Sequence, residues 1–450
     1  MAGGCPAGCI PCGSVIRAAR KGQAVKGIKL KVILGRVLHR VQPLAHRLPR
    51  CVRHPLGEML WRLSRGSMRR PPEPYQPGAY PMGVNLFGLF RAEMGLAQGA
   101  RLYANALSCG RIPHTLLNLD FMPWLPQNDH SMDDQLTDAP VYAVNVIHIN
   151  PNQWQEACYP FGPQAFDRRY NIGVWLWELE TIPQSWRPML DYVDEVWAPS
   201  EFIASALRRE TDKPVTVIPY GITVPVDGTA TRRALGLPED RFCVLVMYDS
   251  NSYASRKNPG AAIRAYTQAF GQNSPDTHLV IKVNHPKAED LAFFERELGA
   301  QGGYTLITDQ MEKPRLNALI RLCDVYVSLH RSEGFGLVMA EAMALGTPVV
   351  ATAWSANTEF MTGQTACLVD CTLVPVQDQY EYEDDAFRWA EADVQQAAAY
   401  LKRLHEDRAF YQEKAACGKA WIEEHLSPEA SAGRMRQRLE AIGRARTSRD

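Results

Sequence analysis

Three features are missing from this 450-residue chain. No hydrophobic run reaches the ~18 residues that a membrane-spanning helix needs, and the first residues lack the apolar core of about 7–15 residues that marks a secretory signal peptide. No Asp-x-Asp pair lies in a loop suited to holding a divalent metal. We therefore expect a cytoplasmic protein without a metal site.

Net charge is missing as well, but the balance hides a strong asymmetry. Lysines and arginines number 49, as do aspartates and glutamates. Residues 1–70 hold 15 of the basic residues and one acid, Glu58, which leaves 34 basic and 48 acidic residues in the rest. The sequence therefore predicts a basic extension attached to an acidic body.

Within this extension, residues 28–48 have the pattern of a basic amphipathic helix, which Pro43 kinks or ends. Its apolar face consists of Leu30, Ile33, Leu34, Val37, Val41, Leu44 and Leu48. Such a helix suits an anionic membrane surface and would place the protein peripherally on the inner face of the membrane. Packing on the acidic body is an equal alternative. Nucleic acid is not expected, because aromatic residues are not interleaved with the basic ones.

The 11 cysteines are scattered, and Cys243 and Cys323 fall in apolar runs, as reduced core thiols do. Cys5, Cys9 and Cys12 form a C-x3-C-x2-C cluster, a spacing that can hold an iron–sulfur cluster. No strand precedes this cluster and no barrel pattern follows it. An unstructured tail is therefore favoured, and a metal-binding tail or a redox or radical enzyme are the alternatives.

Beyond a proline-rich segment at residues 69–77, which indicates a linker, helices alternate with short apolar strands. A helix is expected from Glu93 to Gly110. The expected strands of this half are His114–Leu119, Val141–Ile149, Gly173–Leu176, Glu195–Ala198 and Val215–Ile218. The alternation predicts a parallel α/β sheet.

A second α/β unit follows, with expected strands at 241–247, 278–284, 305–309, 324–329 and 348–351. After its first strand come Arg256 and Lys257, directly before an amphipathic helix. Two cations between a strand and a helix start suit an anion such as a phosphate.

The most informative stretch, Ser328–Thr352, combines a strand, a glycine turn, a helix and another strand. Gly334 and Gly336 allow positive φ and the close approach of a ligand. The helix that starts at Leu337 ends before Gly346, where a left-handed cap is expected. Its N-terminus points to the carboxyl edge of the sheet and favours an anion there.

Two carboxylates, Glu333 and Glu341, bracket this anion site. Because a phosphate repels them, we expect their partners to be hydroxyls, as on a ribose and a sugar ring. The spacing Glu333-x7-Glu341 within EGFGLVMAEAMALGTPVVAT resembles the nucleotide-sugar signature of the large retaining glycosyltransferase superfamily with the GT-B fold. The E-x7-E spacing alone often arises by chance, so the alternative interpretation is a Glu341 that is merely solvated and binds no ligand.

This resemblance spans roughly residues 80–425 and implies an α/β protein in which two Rossmann-like domains face a cleft. The implied segments are a basic extension with a Pro-rich linker (1–78), an acceptor-binding domain (79–222), a nucleotide-sugar-binding domain (223–425) and a C-terminal helix and tail (426–450). Residues 385–442 are expected to be helical, and the resemblance implies that a final helix crosses back onto the first domain. The implied reaction transfers a glycosyl group, with retention, from a nucleotide-diphosphate sugar to a saccharide or lipid-linked acceptor in cell-envelope or exopolysaccharide synthesis. The sugar nucleotide is a co-substrate, and no cofactor is expected. A phosphorylase, a nucleotide-sugar epimerase and a non-catalytic sugar-binding partner are the alternatives.

In the donor site, the resemblance implies Lys257 on the diphosphate, Glu341 on the ribose and Glu333 on the transferred sugar, with Lys257 and Glu333 catalytic. The family has an arginine about six residues before this lysine, but Asn251 stands there. Either Arg256 takes that duty or the diphosphate is contacted differently. The further donor-binding candidates are Arg256, Asn258, Lys282 (equally well a surface lysine), Gly334, Phe335, Gly336 and Leu337.

In the first half, blocks 83–101, 144–153, 170–186 and 194–207 resemble the acceptor domain of bacterial polysaccharide glycosyltransferases. His148 shares a strand face with Asn150, and the resemblance implies a catalytic donor-sugar contact for it; a satisfied polar residue is the alternative. Trp177 beside Glu178 suits a sugar, although a buried core position is equally open for the tryptophan. Ser200 is expected to be a helix N-cap. The acceptor-binding candidates are Gly83, Asn85, Asn150, Trp177 and Glu178.

Overall fold

The computed structural model describes residues 71–121, 126–299, 303–376 and 387–444. These residues belong to one compact unit. Their chain forms two parallel six-stranded sheets and a two-stranded antiparallel pair, which confirms the expected α/β class. Residues 28–48 and the cluster of Cys5, Cys9 and Cys12 lie outside the described residues.

The first sheet has the strand order β2-β1-β3-β4-β5-β6, with every pair parallel. Its strands are β1 (Val84–Gly88), β2 (His114–Asn118), β3 (Val144–His148), β4 (Tyr170–Val174), β5 (Glu195–Ala198) and β6 (Val215–Val217). Its helices are α1 (Gly95–Cys109), α2 (Trp154–Cys158) and α3 (Glu201–Arg208). Strand β4 starts and ends earlier than expected, so Trp175 and Trp177 lie in the loop that follows it.

The second sheet has the strand order β12-β11-β10-β7-β8-β9 and is also parallel throughout. Its strands are β7 (Phe242–Asp249), β8 (Thr277–Asn284), β9 (Tyr304–Ile307), β10 (Val325–Ser328), β11 (Val349–Thr352) and β12 (Cys367–Val369). Its helices are α4 (Ala254–Lys257), α5 (Pro259–Phe270), α6 (Ala288–Leu298), α7 (Lys313–Leu322) and α8 (Leu337–Ala344). Numbered within this domain, the order is the doubly wound 3-2-1-4-5-6 of Rossmann folds.

The C-terminal part begins with an antiparallel pair, β13 (Cys371–Pro375) and β14 (Arg388–Ala392). Three helices follow, α9 (Val394–Glu406), α10 (Arg408–His425) and α11 (Pro428–Arg444). The expectation of an entirely helical segment at 385–442 was therefore wrong for β14. This strand pairs with residues upstream of that segment, so the periodicity within the segment could not reveal it.

Helix α11 returns to the first domain, as the resemblance implied. Ser431 donates to the carbonyl oxygen of Pro219 at 2.8 Å, and Arg438 Nη2 lies 2.8 Å from Oε2 of the buried Glu195. The same carboxylate accepts from Trp197 Nε1 and Thr216 Oγ1. The end of the chain is thus tied to strand β5 by charge and hydrogen bonds.

Residues 71–78 are part of the first domain and not a free linker. The backbone of Arg168 donates to Glu73, and that of Gln76 donates to Arg168, at 3.1 and 3.2 Å. The ring of Tyr75 packs edge-on against Tyr170 with centroids 5.5 Å apart. These contacts tie residues 71–78 to the first domain, and the domain boundary at 78 stays a prediction.

Candidate functional site

The second sheet reverses its strand order between β7 and β10, which are neighbours. In an open parallel sheet, a ligand binds at such a reversal, beyond the carboxyl ends of the strands. The connection after β7 carries Arg256 and Lys257, and the loop after β10 carries Glu333. The fold therefore joins the two motifs that the sequence singled out separately.

Backbone strain concentrates at this edge of the sheet. Among the described residues, six non-glycine residues have a positive φ. Four of them, Tyr253, Asn258, His285 and Ser355, lie in connections that leave strands of the second sheet. Strained conformations of this kind persist where surrounding contacts enforce them, and they cluster at functional sites.

The Glu333 carboxylate is held by two cations. Its Oε1 lies 2.5 Å from Lys257 Nζ and 3.4 Å from Arg256 Nη1. Burial alone would raise the pKa of Glu333, but the two positive charges reverse this effect, and its pKa falls to about 2. Glu333 is therefore ionised at physiological pH and accepts hydrogen bonds without donating any.

The two cations differ in access to the cleft. The Arg256 side chain is 3% exposed and donates to the Ser332 carbonyl oxygen and to Ser252 Oγ, both at 2.7 Å. The Lys257 side chain is 23% exposed. The guanidinium braces the loop of Glu333, and Lys257 is the more exposed of the two cations. Direct binding of the donor by Arg256 stays a prediction.

The glycine turn serves the contact between the domains as well as the start of helix α8. A Cβ on Gly334 would lie 2.7 Å from the carbonyl oxygen of Trp177, and the Gly334 carbonyl accepts from Ser200 Oγ at 2.7 Å. Gly336 has a φ of 94° and precedes Leu337, the first residue of α8. Phe335 is buried against Tyr220, with centroids 5.0 Å apart. The sequence predicts the close approach of a ligand at Gly334, but in the structure the backbone of Trp177 from the first domain approaches this glycine closely.

Glu341 lies on helix α8 with its side chain 2% exposed, and Lys313 Nζ lies 2.6 Å from its Oε1. Lys313 is the first residue of α7, after the carboxyl end of β9. The sequence analysis missed it, although a lysine that opens a helix after a parallel strand was a recognisable signal. Glu341 is therefore held by a partner and is not merely solvated.

Two donor-binding candidates are enclosed by the protein. Lys282 is fully buried and donates to Asn284 Oδ1 at 2.5 Å and to the Val283 carbonyl oxygen. Burial lowers the pKa of Lys282 to about 8. Asn258 is buried in the left-handed conformation between α4 and α5. The Lys282 ammonium is enclosed by the protein, and its contact with a donor stays a prediction.

His148 is fully buried at the end of β3. Its Nε2 lies 2.9 Å from the hydroxyl of Tyr220, and its ring packs edge-on against Tyr103. Burial lowers the pKa of His148 to about 3, so the imidazole is neutral at physiological pH. Its Nδ1 is buried without a hydrogen-bond partner among the described residues, and the catalytic role of His148 stays a prediction.

The candidates that follow β3 and β4 have different surroundings. The Trp177 indole is buried against Trp186 and donates to the Thr181 carbonyl oxygen at 2.6 Å. The indole thus occupies the core position that was the alternative for this tryptophan, and its acceptor role stays a prediction. Asn150 accepts from the backbone of Leu176 at 2.8 Å, and its acceptor role stays a prediction.

Glu178 reaches across to the second domain. Its Oε1 lies 3.5 Å from Arg256 Nη2, and its carbonyl oxygen accepts from Ser332 Oγ. Arg256 thus lies between carboxylates of both domains. The role of Glu178 in acceptor binding stays a prediction, with its place in the cleft established.

Gly83 and Asn85 lie at the amino end of β1, whereas the loops that meet the second domain leave the carboxyl ends. Asn85 is buried and bonded to Asn145 and the Tyr142 carbonyl oxygen, each at 2.8 Å. A Cβ on Gly83 would lie 2.5 Å from the Tyr142 ring. Both residues thus serve packing at the amino end of the sheet, and their acceptor-binding roles stay predictions.

The first domain has a cavity of about 800 Å³ between its 133–140 and 160–165 segments. Its polar lining residues are Arg91, Asn118, Asp133, Thr137, Asp138, Gln164 and Arg169. Arg91 Nε lies 2.8 Å from Asp133 Oδ1, and Arg169 donates to the carbonyl oxygens of Pro140, Tyr142, Gln164 and Ala165. Both arginines of the cavity are thus already engaged.

Within residues 71–121, 126–299, 303–376 and 387–444, no group of three or more His, Cys, Asp or Glu side chains could hold a metal ion. No helix within those ranges has the length and apolar character to cross a membrane.

Comparison with known proteins gives a family match in the second domain. Residues 228–373 match the family model described as Glycosyl transferases group 1. The D-inositol 3-phosphate glycosyltransferase of Stackebrandtia nassauensis is 35% identical over 173 residues, which are 34% of this chain and 36% of that protein. The protein of the same name from Nocardioides is 30% identical over 246 residues, 51% of this chain and 47% of that protein. The chain thus spans about a third to a half of these relatives' length.

Solved structures share the whole two-domain arrangement. Sucrose-phosphate synthase from Thermosynechococcus elongatus has a TM-score of 0.60 at 17% identity, over 81% of this chain and 100% of that chain. The Anabaena protein HepE, solved with UDP and glucose, has a TM-score of 0.57 at 14% identity, over 80% of this chain and 100% of that chain. At these identities the likeness concerns the fold.

Proposed function

We propose that this chain is a retaining glycosyltransferase. The premise is that it is a GT-B protein whose residues 228–373 match the group 1 glycosyl transferases. It moves a sugar from a nucleoside diphosphate to a saccharide or lipid-linked acceptor. The observation that carries the proposal is the ion pair of Lys257 and Glu333, 2.5 Å apart at the strand-order reversal of the second sheet. A reachable cation, a carboxylate and a helix N-terminus are the groups that a diphosphate-linked sugar requires.

In this proposal Lys257 changes partner when the donor binds. In the structure it neutralises Glu333, and the diphosphate offers its ammonium a more highly charged partner. As the bond between sugar and diphosphate breaks, negative charge grows on the leaving oxygen and its attraction to Lys257 strengthens. The backbone N–H groups at the start of α8 act on the same charge.

Glu333 and Glu341 divide the hydroxyls of the donor between them. Glu333, ionised at physiological pH by its two cationic neighbours, accepts a hydrogen bond from the transferred sugar. Glu341, held by Lys313, accepts from the ribose. UDP is the first nucleotide to test, because the similar fold of HepE was solved with UDP.

The acceptor is proposed to enter from the first domain, along the cavity beside Arg91 and Asp133. The curated relatives are named for D-inositol 3-phosphate, a phosphorylated compound. A phosphate in this cavity would meet only arginines whose hydrogen bonds are already engaged. Hydroxyls, amides and the faces of Pro140, Pro160 and Phe161 suit a neutral saccharide better.

The test starts with binding and proceeds to products. Calorimetry with UDP, GDP and ADP should show one nucleotide that binds, and transfer of a labelled sugar from the matching donor to oligosaccharides should follow. NMR of the anomeric proton should show retained configuration. Release of sugar 1-phosphate in inorganic phosphate buffer would instead identify a phosphorylase. Binding of none of the three nucleotides would contradict the proposal.

A further inference from the structure

Glu341 lies in an unusual position for a charged side chain. It is nine-tenths buried or more on helix α8, and its Oε2 has no hydrogen-bond partner among the described residues. A buried carboxylate oxygen without a donor is costly. Such an oxygen indicates a site where a ligand supplies the missing donor.

The Lys313 ammonium covers only one side of this carboxylate. It lies 2.6 Å from Oε1, with its side chain 24% exposed. An ammonium has three donors, so contact with Glu341 leaves donors for another group in the cleft. The ion pair therefore fixes a carboxylate whose buried oxygens lack hydrogen-bond donors from the described residues.

The position of Lys313 makes it part of the cleft. It opens helix α7 directly after the loop that follows β9, and Gln310 of that loop contacts Glu93 of the first domain. The lysine thus follows a strand of the same sheet edge that carries Lys257 and Glu333. The strands β7, β10 and β9 thus each lead into a charged group at this edge of the sheet, with β8 lying between β7 and β9.

We propose that Lys313 is a positioning and specificity residue of the donor site, which orients the Glu341 carboxylate to accept hydrogen bonds from ribose hydroxyls. Without the lysine, the buried carboxylate of Glu341 loses the ion pair that fixes its orientation. This inference rests on the proposed function, because it assigns a ribose to Glu341. It adds a residue from another helix that the E-x7-E pattern does not contain.

The experiment measures UDP binding by calorimetry for the wild type, Lys313→Met, Lys313→Arg and Glu341→Gln. Loss of a hydrogen bond to a charged group corresponds to a roughly 10–100-fold weaker Kd, which we expect for Lys313→Met. Lys313→Arg should recover part of that loss. Arg315→Met removes an exposed charge from the same helix and should bind UDP like the wild type.

A role on the ribose is separated from a general role by 2′-deoxy- and 3′-deoxy-UDP. The wild type should bind at least one of them more weakly than UDP, and Lys313→Met should discriminate less. An equal loss for UDP and both deoxy probes would overturn the inference, since the lysine would then act on the phosphates or on the fold. Unchanged UDP binding by Lys313→Met would overturn it too.

The double variant Lys313→Met/Glu341→Gln is the control for a folding defect, because it removes both charges and leaves no unpaired buried charge. It should bind UDP no more weakly than Glu341→Gln alone. A further full loss on adding Lys313→Met would mean that the two side chains act independently, which contradicts the inference. If the wild type binds none of UDP, GDP and ADP, the proposed function fails instead.

Discussion

Replacing Lys257 with alanine removes the ammonium that lies 2.5 Å from Glu333 Oε1. We expect kcat for glycosyl transfer to fall about 10²–10³-fold, the loss that follows removal of one preorganised electrostatic donor. The KM of the donor should change less. Charge on the leaving diphosphate grows in the transition state, so the lysine stabilises that state more than the bound substrate.

The same variant has a stability signature. The pKa of Glu333 falls from its ordinary value of 4.5 to about 2, which corresponds to about 3 kcal/mol of stability at neutral pH. Because the folded pKa is the lower one, this stability is present above pH 4.5 and is lost as the pH falls towards 2. Lys257→Ala removes one of the two cations responsible, so it should lose part of that stability at pH 7 and approach the wild type at pH 2–3.

Steady-state kinetics and urea denaturation at pH 7 and pH 3 measure both effects. Lys419→Ala is the matched control, because Lys419 is half exposed on α10 and pairs with Glu423. It should keep wild-type kcat and show no pH-dependent difference. A kcat of Lys257→Ala within about twofold of the wild type would refute the assigned role. A stability difference equal at both pH values would refute the electrostatic account of Glu333.

Four further outcomes are expected. Glu333→Gln, which keeps the shape and removes the charge, should lower kcat while calorimetry still detects nucleotide binding; complete loss of that binding would contradict its contact with the sugar. Activity in EDTA should stay within a few-fold of that in magnesium, and loss in EDTA that manganese restores would show a metal requirement. Deletion of residues 1–70 should abolish sedimentation with anionic vesicles and leave the melting temperature nearly unchanged, whereas a large drop would favour packing on the body. Arg438→Met leaves the buried Glu195 carboxylate unpaired and should destabilise by about 3–5 kcal/mol, while the exposed Arg444→Met should not.

Most strands could be predicted from the sequence, because buried parallel strands are apolar on both faces and stand out as short runs. β5 was predicted with its observed bounds, Glu195–Ala198. β4 was misplaced because the apolar run continues past its end through Trp175 and Leu176 into the core. The strand β14 was missed because its partner, β13, lies upstream of residues 385–442, the segment that was predicted to be helical.

The edge of the sheet that holds the site was also predictable. Parallel strands all end at one edge, so residues that follow a strand share that edge wherever they lie in the chain. The family resemblance assigned Lys257 and Glu333 to one donor site, and this rule explains why the structure joins them across 76 positions. Applied to β9, the same rule would have selected Lys313.

The burial of individual polar side chains could not be predicted from the sequence. Asn85, His148, Arg256 and Lys282 are polar residues near motifs, yet all four are buried. Asn85 forms a hydrogen bond with Asn145 on the neighbouring strand. His148 forms a hydrogen bond with Tyr220, which lies 72 positions away in the sequence. Arg256 is enclosed by the Ser332 loop, which is in turn bonded to Glu178 of the first domain.

The sequence by itself therefore determined which strands and loops build the cleft. That information is local: it lies in apolar runs, glycines and the direction of the chain. Only the tertiary structure decided which side chains face the cleft, because burial depends on contacts from segments far apart in sequence. Between Glu178 and Ser332, that separation is 154 positions.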